Sequence, residues 1–262
     1  MSQDAPKIGR WFFLPPLIAL LALLLVQTTG SERQLFLRLN RLGQFGGDTL
    51  WIYLSTLGEG VVVCVIMLPL IRRRPVFVWS MVLSLLLGVL WIHSLKYLSH
   101  QLRPASVLPS TDFHSIGETY QFNSFPSGHA ATAASFAANF CLFFRQKLWR
   151  AAVIGLALLI SFSRIAVGLH WPTDVLVGFA SGWLLALLSY RLALRFRFGV
   201  TSVAQVIFGL EFFGAALWIM FVNYTGSDHQ AFRFRQVIAL TCLVLTFGGF
   251  VSQRIRGAAV RP

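Results

Sequence analysis

The sequence predicts an all-α integral membrane protein, a bundle of about eight transmembrane helices with a six-helix core. Of its 262 residues 56% are hydrophobic and only 12% charged, with a mean hydropathy of +0.69; a soluble domain carries about 25% charge. The second observation is a succession of apolar runs, each about long enough to cross a hydrocarbon core as a helix. The third is the placing of the basic residues. A net charge of +13 could suggest nucleic acid, but the basic residues form no stripe with interleaved polar surface. They sit in short clusters between apolar runs, as topology signals do, so no nucleic-acid partner is expected.

The elements follow in order. Residues 1–10 are a polar start with Lys7 and Arg10. The run from Trp11 to about Val26 lacks a small-x-small cleavage site and is read as a retained first span. After a loop with Glu32, Arg33, Arg38, Arg41 and Asp48, the second span runs from about Leu50 to Ile71 and stops at Arg72-Arg73-Arg74-Pro75. Within it Glu59, flanked by Gly58 and Gly60, either serves function or marks an interruption. The third span covers Val76 to about Leu95. Residues 99–126 are the longest polar excursion, with Pro104, Pro109, Asp112, Gly117 and Glu118. Span four runs from Ser127 to about Phe144, and Arg145, Lys147 and Arg150 form the turn to span five, Ala151 to about Val167. Span six starts near Pro172 and leaves at Arg191, Arg195 and Arg197. Two further spans follow, about Val203 to Val222 and about Val237 to Val251, with a polar turn through Asp228 between them. There is no internal repeat. The chain is read as one membrane domain, with a core over residues 1–198 and two added spans over 199–262.

Fourteen of the 22 Lys and Arg residues fall on the side of the N-terminus, which places both termini in the cytoplasm by the positive-inside rule. Of the rest, Lys96, Arg103 and Arg164 belong to a different group. Lys96 lies at the exit of span three, Ser127, Gly128 and His129 at the entrance of span four, Arg164 at the end of span five, and His170 and Asp174 at the start of span six. Spans four and five form one hairpin, so these residues meet at one membrane face in either orientation. Ionisable groups against long apolar runs are costly and mark function.

The chemistry of the group is that of a phosphate site. Pro126-Ser127-Gly128 reads as a helix start with a capping serine, and free N–H groups there bind anions. Lys96, Arg103 and Arg164 add positive charge suited to phosphate oxygens. Pro172 as first helical residue puts Asp174 in the first turn beside His170. A carboxylate on one imidazole nitrogen leaves the other as a nucleophile of fixed tautomer, and His129 is a second histidine able to protonate the departing oxygen. No metal-ligand set and no cofactor are required. Cys64, Cys141 and Cys242 lie inside apolar runs without ligand spacing. His93 is expected to be a satisfied histidine inside the bundle and His100 an interface residue, and His114 lies in the long outer loop.

The pattern Lys96-x6-Arg103-Pro104, Pro126-Ser127-Gly128-His129 and Ser163-Arg164-x5-His170-x3-Asp174 resembles the three-part signature of the type 2 phosphatidic acid phosphatase (PAP2) superfamily, with every position matched. The resemblance spans residues 96–174. It implies a bundle of about six core helices and a phosphohistidine on His170 supported by Asp174. It also implies His129 as acid, with Lys96, Arg103, Ser127, Gly128 and Arg164 as phosphate ligands. The last two spans depart from the commonest six-span form. The expectation is a metal-independent lipid phosphatase at the periplasmic face of a bacterial inner membrane, acting on undecaprenyl diphosphate. Phosphatidylglycerol phosphate, phosphatidic acid and lipid A phosphate are the alternatives, and a lipid phosphotransferase or a non-catalytic lipid-binding protein the competing classes.

Overall fold

The computed structural model describes residues 8–224 and 229–258. Lys7, the expected turn at Asp228 and Arg261 lie outside them, as do the side chains of Arg254 and Arg256. Among the described residues there are helices and no strands. They are α1 (Leu14–Thr29), α2 (Glu32–Gly43), α3 (Asp48–Leu57), α4 (Gly60–Met67), α5 (Pro75–Ser99), the single-turn α6 (Pro104–Val107), α7 (Gly128–Phe143), α8 (Lys147–Ala166), α9 (Pro172–Arg195), α10 (Ser202–Phe221) and α11 (His229–Ala258).

Six of these, α1, α5, α8, α9, α10 and α11, are long and apolar enough to cross a membrane. The chain is a multi-pass membrane protein. The other two of the eight expected spans take different forms. The second is a pair, α3 and α4 with its 3-10 extension, bent by 66° at the Gly58-Glu59 break. Glu59 is extended there (φ −74°, ψ 130°), so the interruption readable from the two glycines is real. The fourth, α7, has 16 residues and is about 24 Å long at 1.5 Å per residue. It can be short because it is the centre of the bundle. Its surface of Ala130, Ala131, Ala133, Ala134, Ala137 and Ala138 is buried, and α5, α8 and α9 surround it.

Small residues make that centre. A Cβ at Gly178 or Gly182 of α9 would run into the carbonyl oxygens of Ser127 and Ala131 on α7, so the two backbones touch, as small residues permit in membranes. Polar side chains add an interior clasp. Asn139 of α7 accepts from Ser80 (2.6 Å) and donates to Ser84 (2.8 Å), both on α5. Against the outside of this core α1 is pinned through Trp183, whose indole donates to the Phe12 carbonyl at 2.9 Å. At the end of the bundle where α8 finishes, α2 is tied down by Asn40, which donates to the carbonyls of His114, Ile165 and Ala166.

The last two helices pack on the broken span. Val62 and Val65 of α4 meet Ala216 and Ile219 of α10 and Ala239 and Cys242 of α11 in one buried cluster. α11 begins at His229, ahead of the expected start at Val237. Arg233 and Arg235 interrupt the apolar run that set that expectation, yet Arg235 is fully buried and paired with Glu59, so its charge does not end the helix.

Candidate active site

Four helix ends and one connection converge on one face of the bundle. α5 ends at Ser99 with His100 in the left-handed conformation (φ 46°), its N–H bonded to the Lys96 carbonyl. The chain then folds back on itself. Arg103 N–H donates to Gln121 O and Ser124 N–H to Gln101 O, which brings Ser124 and Phe125 to the start of α7. Ser127 is the N-cap of α7 and accepts from the Ala130 N–H; the Ser127 N–H donates to the Asp174 carbonyl at 3.0 Å. The starts of α7 and α9 are therefore joined directly. α8 ends just beyond Arg164 and turns at Gly168 (φ +78°). A Cβ there would meet the His114 carbonyl and the Phe113 ring, so both the left-handed backbone and the close approach require glycine.

That turn delivers His170 to Asp174. His170 Nδ1 lies 3.2 Å from Asp174 Oδ2, with the two side chains 3% and 0% exposed. The same oxygen accepts from Ser124 Oγ (2.5 Å) and from the Trp171 N–H (2.9 Å), the latter being the reciprocal contact of a capping carboxylate at the third helical position. With Nδ1 facing the carboxylate, Nε2 is the nitrogen left for another partner. Burial first, then the positive charges of Arg103, Arg164 and Lys96, hold the His170 imidazole well below its ordinary pKa of 6.5.

The cations surround this pair through backbone carbonyls. Arg103 donates from Nη1 to Leu169 O (3.0 Å) and from Nε to Phe122 O (3.0 Å). Lys96 Nζ donates to Asn123 O at 2.9 Å, a carbonyl that Arg103 Nη2 also reaches at 3.4 Å. Arg164 is 6% exposed and its Nη1 donates to Ser55 Oγ, while its buried Nε has no partner. The Arg164 carbonyl accepts the N–H groups of Leu169 and His170.

His129 stands between two cavities. One, of about 270 Å³, has polar walls that include Arg164, Glu59, Glu118 and Arg235. The other, of about 290 Å³, is mainly apolar and runs between α4, α5 and α7 past Val61, Leu85 and Ile92. Neither is lined by Lys96, Arg103 or His170, whose partners are the loop carbonyls and Asp174. All eight residues singled out from the sequence thus lie at the helix ends of one face, with Gly128 as the first residue of α7.

Residues 77–198 match the PAP2 superfamily. This chain carries a PAP2 domain. Among similar proteins, the undecaprenyl-diphosphatase of Sulfolobus acidocaldarius is 29% identical over 177 residues, which is 63% of this chain and 80% of that protein. The lipid A 1-phosphatase of Rhizobium etli is 41% identical over 80 residues, 29% of this chain and 34% of that protein. The crystal structure of Aquifex aeolicus LpxE superposes with a TM-score of 0.52 at 30% identity, over 61% of this chain and 94% of that one. That of a transmembrane PAP2 type phosphatidylglycerolphosphate phosphatase from Bacillus subtilis gives 0.50 at 20% identity, over 70% and 98%, a likeness of fold. The PAP2 domain places the chain among the membrane lipid phosphatases as a class.

Several residues around the PAP2 signature carried no signal in sequence. Ser124 and Ser55 hold Asp174 and Arg164, but a serine in a polar loop or an apolar span has no distinguishing spacing. His93 was expected inside the bundle. It is exposed, and its Nδ1 is bonded to the Val89 carbonyl of its own helix. His114 is bonded to Asp48 at 2.9 Å, which fastens the connection over residues 99–126 to the start of α3.

Proposed function

We propose that this protein is a lipid phosphate phosphatase working through a phosphohistidine on His170, without a metal ion. The observation that carries the reading is the buried His170–Asp174 contact of 3.2 Å, because it fixes the tautomer that makes Nε2 nucleophilic. Nε2 attacks phosphorus, the bond to the lipid oxygen breaks, and His129 gives that oxygen its proton. Water then attacks the phosphohistidine, His129 takes its proton, and inorganic phosphate leaves. Lys96, Arg103 and Arg164, with the N–H groups around Ser127 and Gly128 at the start of α7, hold the phosphate oxygens as charge builds on them. For Lys96 and Arg103 this exchanges backbone carbonyls for phosphate oxygens.

Undecaprenyl diphosphate is the proposed substrate, supported by the Sulfolobus relative matched over 80% of its length. A lipid A phosphate is the second reading, favoured by the higher identity to the Rhizobium enzyme over 80 residues. The active face is proposed to be periplasmic in a bacterial inner membrane, with residues 1–198 as the catalytic core.

The test is phosphate release by the full chain purified in detergent, with EDTA present, across both lipids, phosphatidic acid and phosphatidylglycerol phosphate. Release is expected from wild type and is expected to vanish in His170→Ala and His129→Ala. Normal release by His170→Ala would end the mechanism. Label passing to a second lipid instead of to water would make the protein a phosphotransferase.

A further inference from the structure

A separate cavity of about 580 Å³ lies at the end of the bundle away from His170, where α10 begins. Its walls are the 3-10 turn Leu68–Leu70 that extends α4, the first half of α10 and residues 243–247 of α11. All of these fall outside residues 77–198. The cavity therefore belongs to the broken span and the two added helices.

Charge and depth set its two ends apart. Arg72 and Arg73, in the exposed turn before α5, line it beside Ser202, the first residue of α10. From there it follows α10 through Val206 and Leu210 to Phe213, about 16 Å along the helix axis at 1.5 Å per residue. That is close to the hydrocarbon depth of one leaflet, half of a core about 30 Å thick. Val206, Leu210, Leu245 and Phe247 are exposed, so the apolar length is open along its side. Among the described residues that line it there is no carboxylate, whereas the polar cavity beside His129 has Glu59 and Glu118. Glu211 of α10 is exposed and does not line it.

We propose that this cavity binds one anionic diacyl phospholipid of the leaflet opposite the signature face. Its headgroup charge sits on Arg72 and Arg73, and an acyl chain follows α10. A basic cluster that only sets topology needs no groove beneath it, whereas basic pockets between transmembrane helices hold anionic headgroups. A soluble anion would leave the apolar length uncovered, and a zwitterionic lipid would set its amine against the arginines. Bound there, the lipid bridges the extension of α4 to α10 and α11, and so ties the two added spans to the broken one. The inference is independent of the reaction at His170.

The test is native mass spectrometry of the full chain, freed of lipid in detergent. The protein is titrated with phosphatidylglycerol or with phosphatidylcholine of the same acyl chains. First binding of phosphatidylglycerol is expected to be at least about fivefold tighter, the worth of one arginine near the surface. Arg72→Gln combined with Arg73→Gln should bring the two lipids level. Gly209→Phe keeps both arginines and fills the groove from a position where an added Cβ meets nothing within 4 Å. It should weaken first binding of both lipids; the arginine pair carries the test if this variant does not fold. Arg145→Gln combined with Lys147→Gln, at the exposed turn outside the cavity, should change nothing, and neither should His170→Ala. Equal losses from the two cation pairs would make the preference a matter of surface charge at large and overturn the inference. Equal affinity of wild type for the two lipids would overturn it as well. Loss in His170→Ala would move the lipid to the signature face, and a dimer broken by Gly209→Phe would give the groove to a second copy. Either result overturns it.

Discussion

Asp174 Oδ2 accepts from Ser124, from the Trp171 N–H and from His170 Nδ1, and as the proposed nucleophile the histidine so held has to be neutral. Burial, followed by Arg103, Arg164 and Lys96, depresses its pKa well below 6.5. The sign of the linkage then follows. As pH falls through about 6.5 the unfolded chain protonates this histidine and the folded chain does not. The native state binds fewer protons, so stability drops as pH falls through that window, by up to about 1.4 kcal/mol per pH unit. His170→Gln removes the titrating group. The Tm gap between wild type and His170→Gln in detergent should therefore shift against wild type between pH of about 7.5 and 5.5. Parallel melting curves across that range would mean that the native imidazole titrates normally. The acid limb of kcat/KM due to this residue should likewise fall below about 6.5.

At the level of helices, the site depends on how closely α7 and α9 approach. Gly182 faces the Ala131 carbonyl and Gly178 the Ser127 carbonyl, and backbone cannot yield as a side chain would. Gly182→Ala must part the helices, at an overpacking cost of about 1–3 kcal/mol. Because Ser127 N–H is bonded to Asp174 O, the same movement separates the proposed anion site from the His170 support. Lower Tm together with lower kcat/KM is expected. Gly209→Ala on α10, where an added Cβ meets nothing within 4 Å, should leave both close to wild type. Equal behaviour of the two variants would remove the close approach as a requirement.

Sequence reading works best where one physical cause dominates. Bilayer thickness sets the apolar runs, so most spans were legible, and the signature residues follow because their charge is out of place there. Length ceases to be a guide when neighbouring helices replace lipid, as around the 16 residues of α7. The Glu59–Arg235 pair was hidden for a different reason. Its members are 176 residues apart, and each alone looks like an isolated charge in an apolar run. Only the fold shows that the two additional spans reach the cavity at His129.

For the molecule as a whole, orientation decides which leaflet supplies the substrate. The clusters Arg72 to Arg74, Arg145 to Arg150 and Arg191 to Arg197 lie at the helix ends opposite Lys96, Arg164 and Asp174, since each helix joins one set to the other. Basic clusters stay in the cytoplasm, so the signature face should open outward. Single cysteines in a chain lacking Cys64, Cys141 and Cys242 can report this. Ser110→Cys lies in the exposed connection over residues 99–126 and Gln146→Cys in the exposed turn between α7 and α8. A membrane-impermeant maleimide added to cells with a permeable outer envelope should label position 110 at once and position 146 only after the inner membrane is opened. The reverse pattern would turn the site to the cytoplasm, and would replace the outer leaflet by the inner as the source of its lipid phosphates.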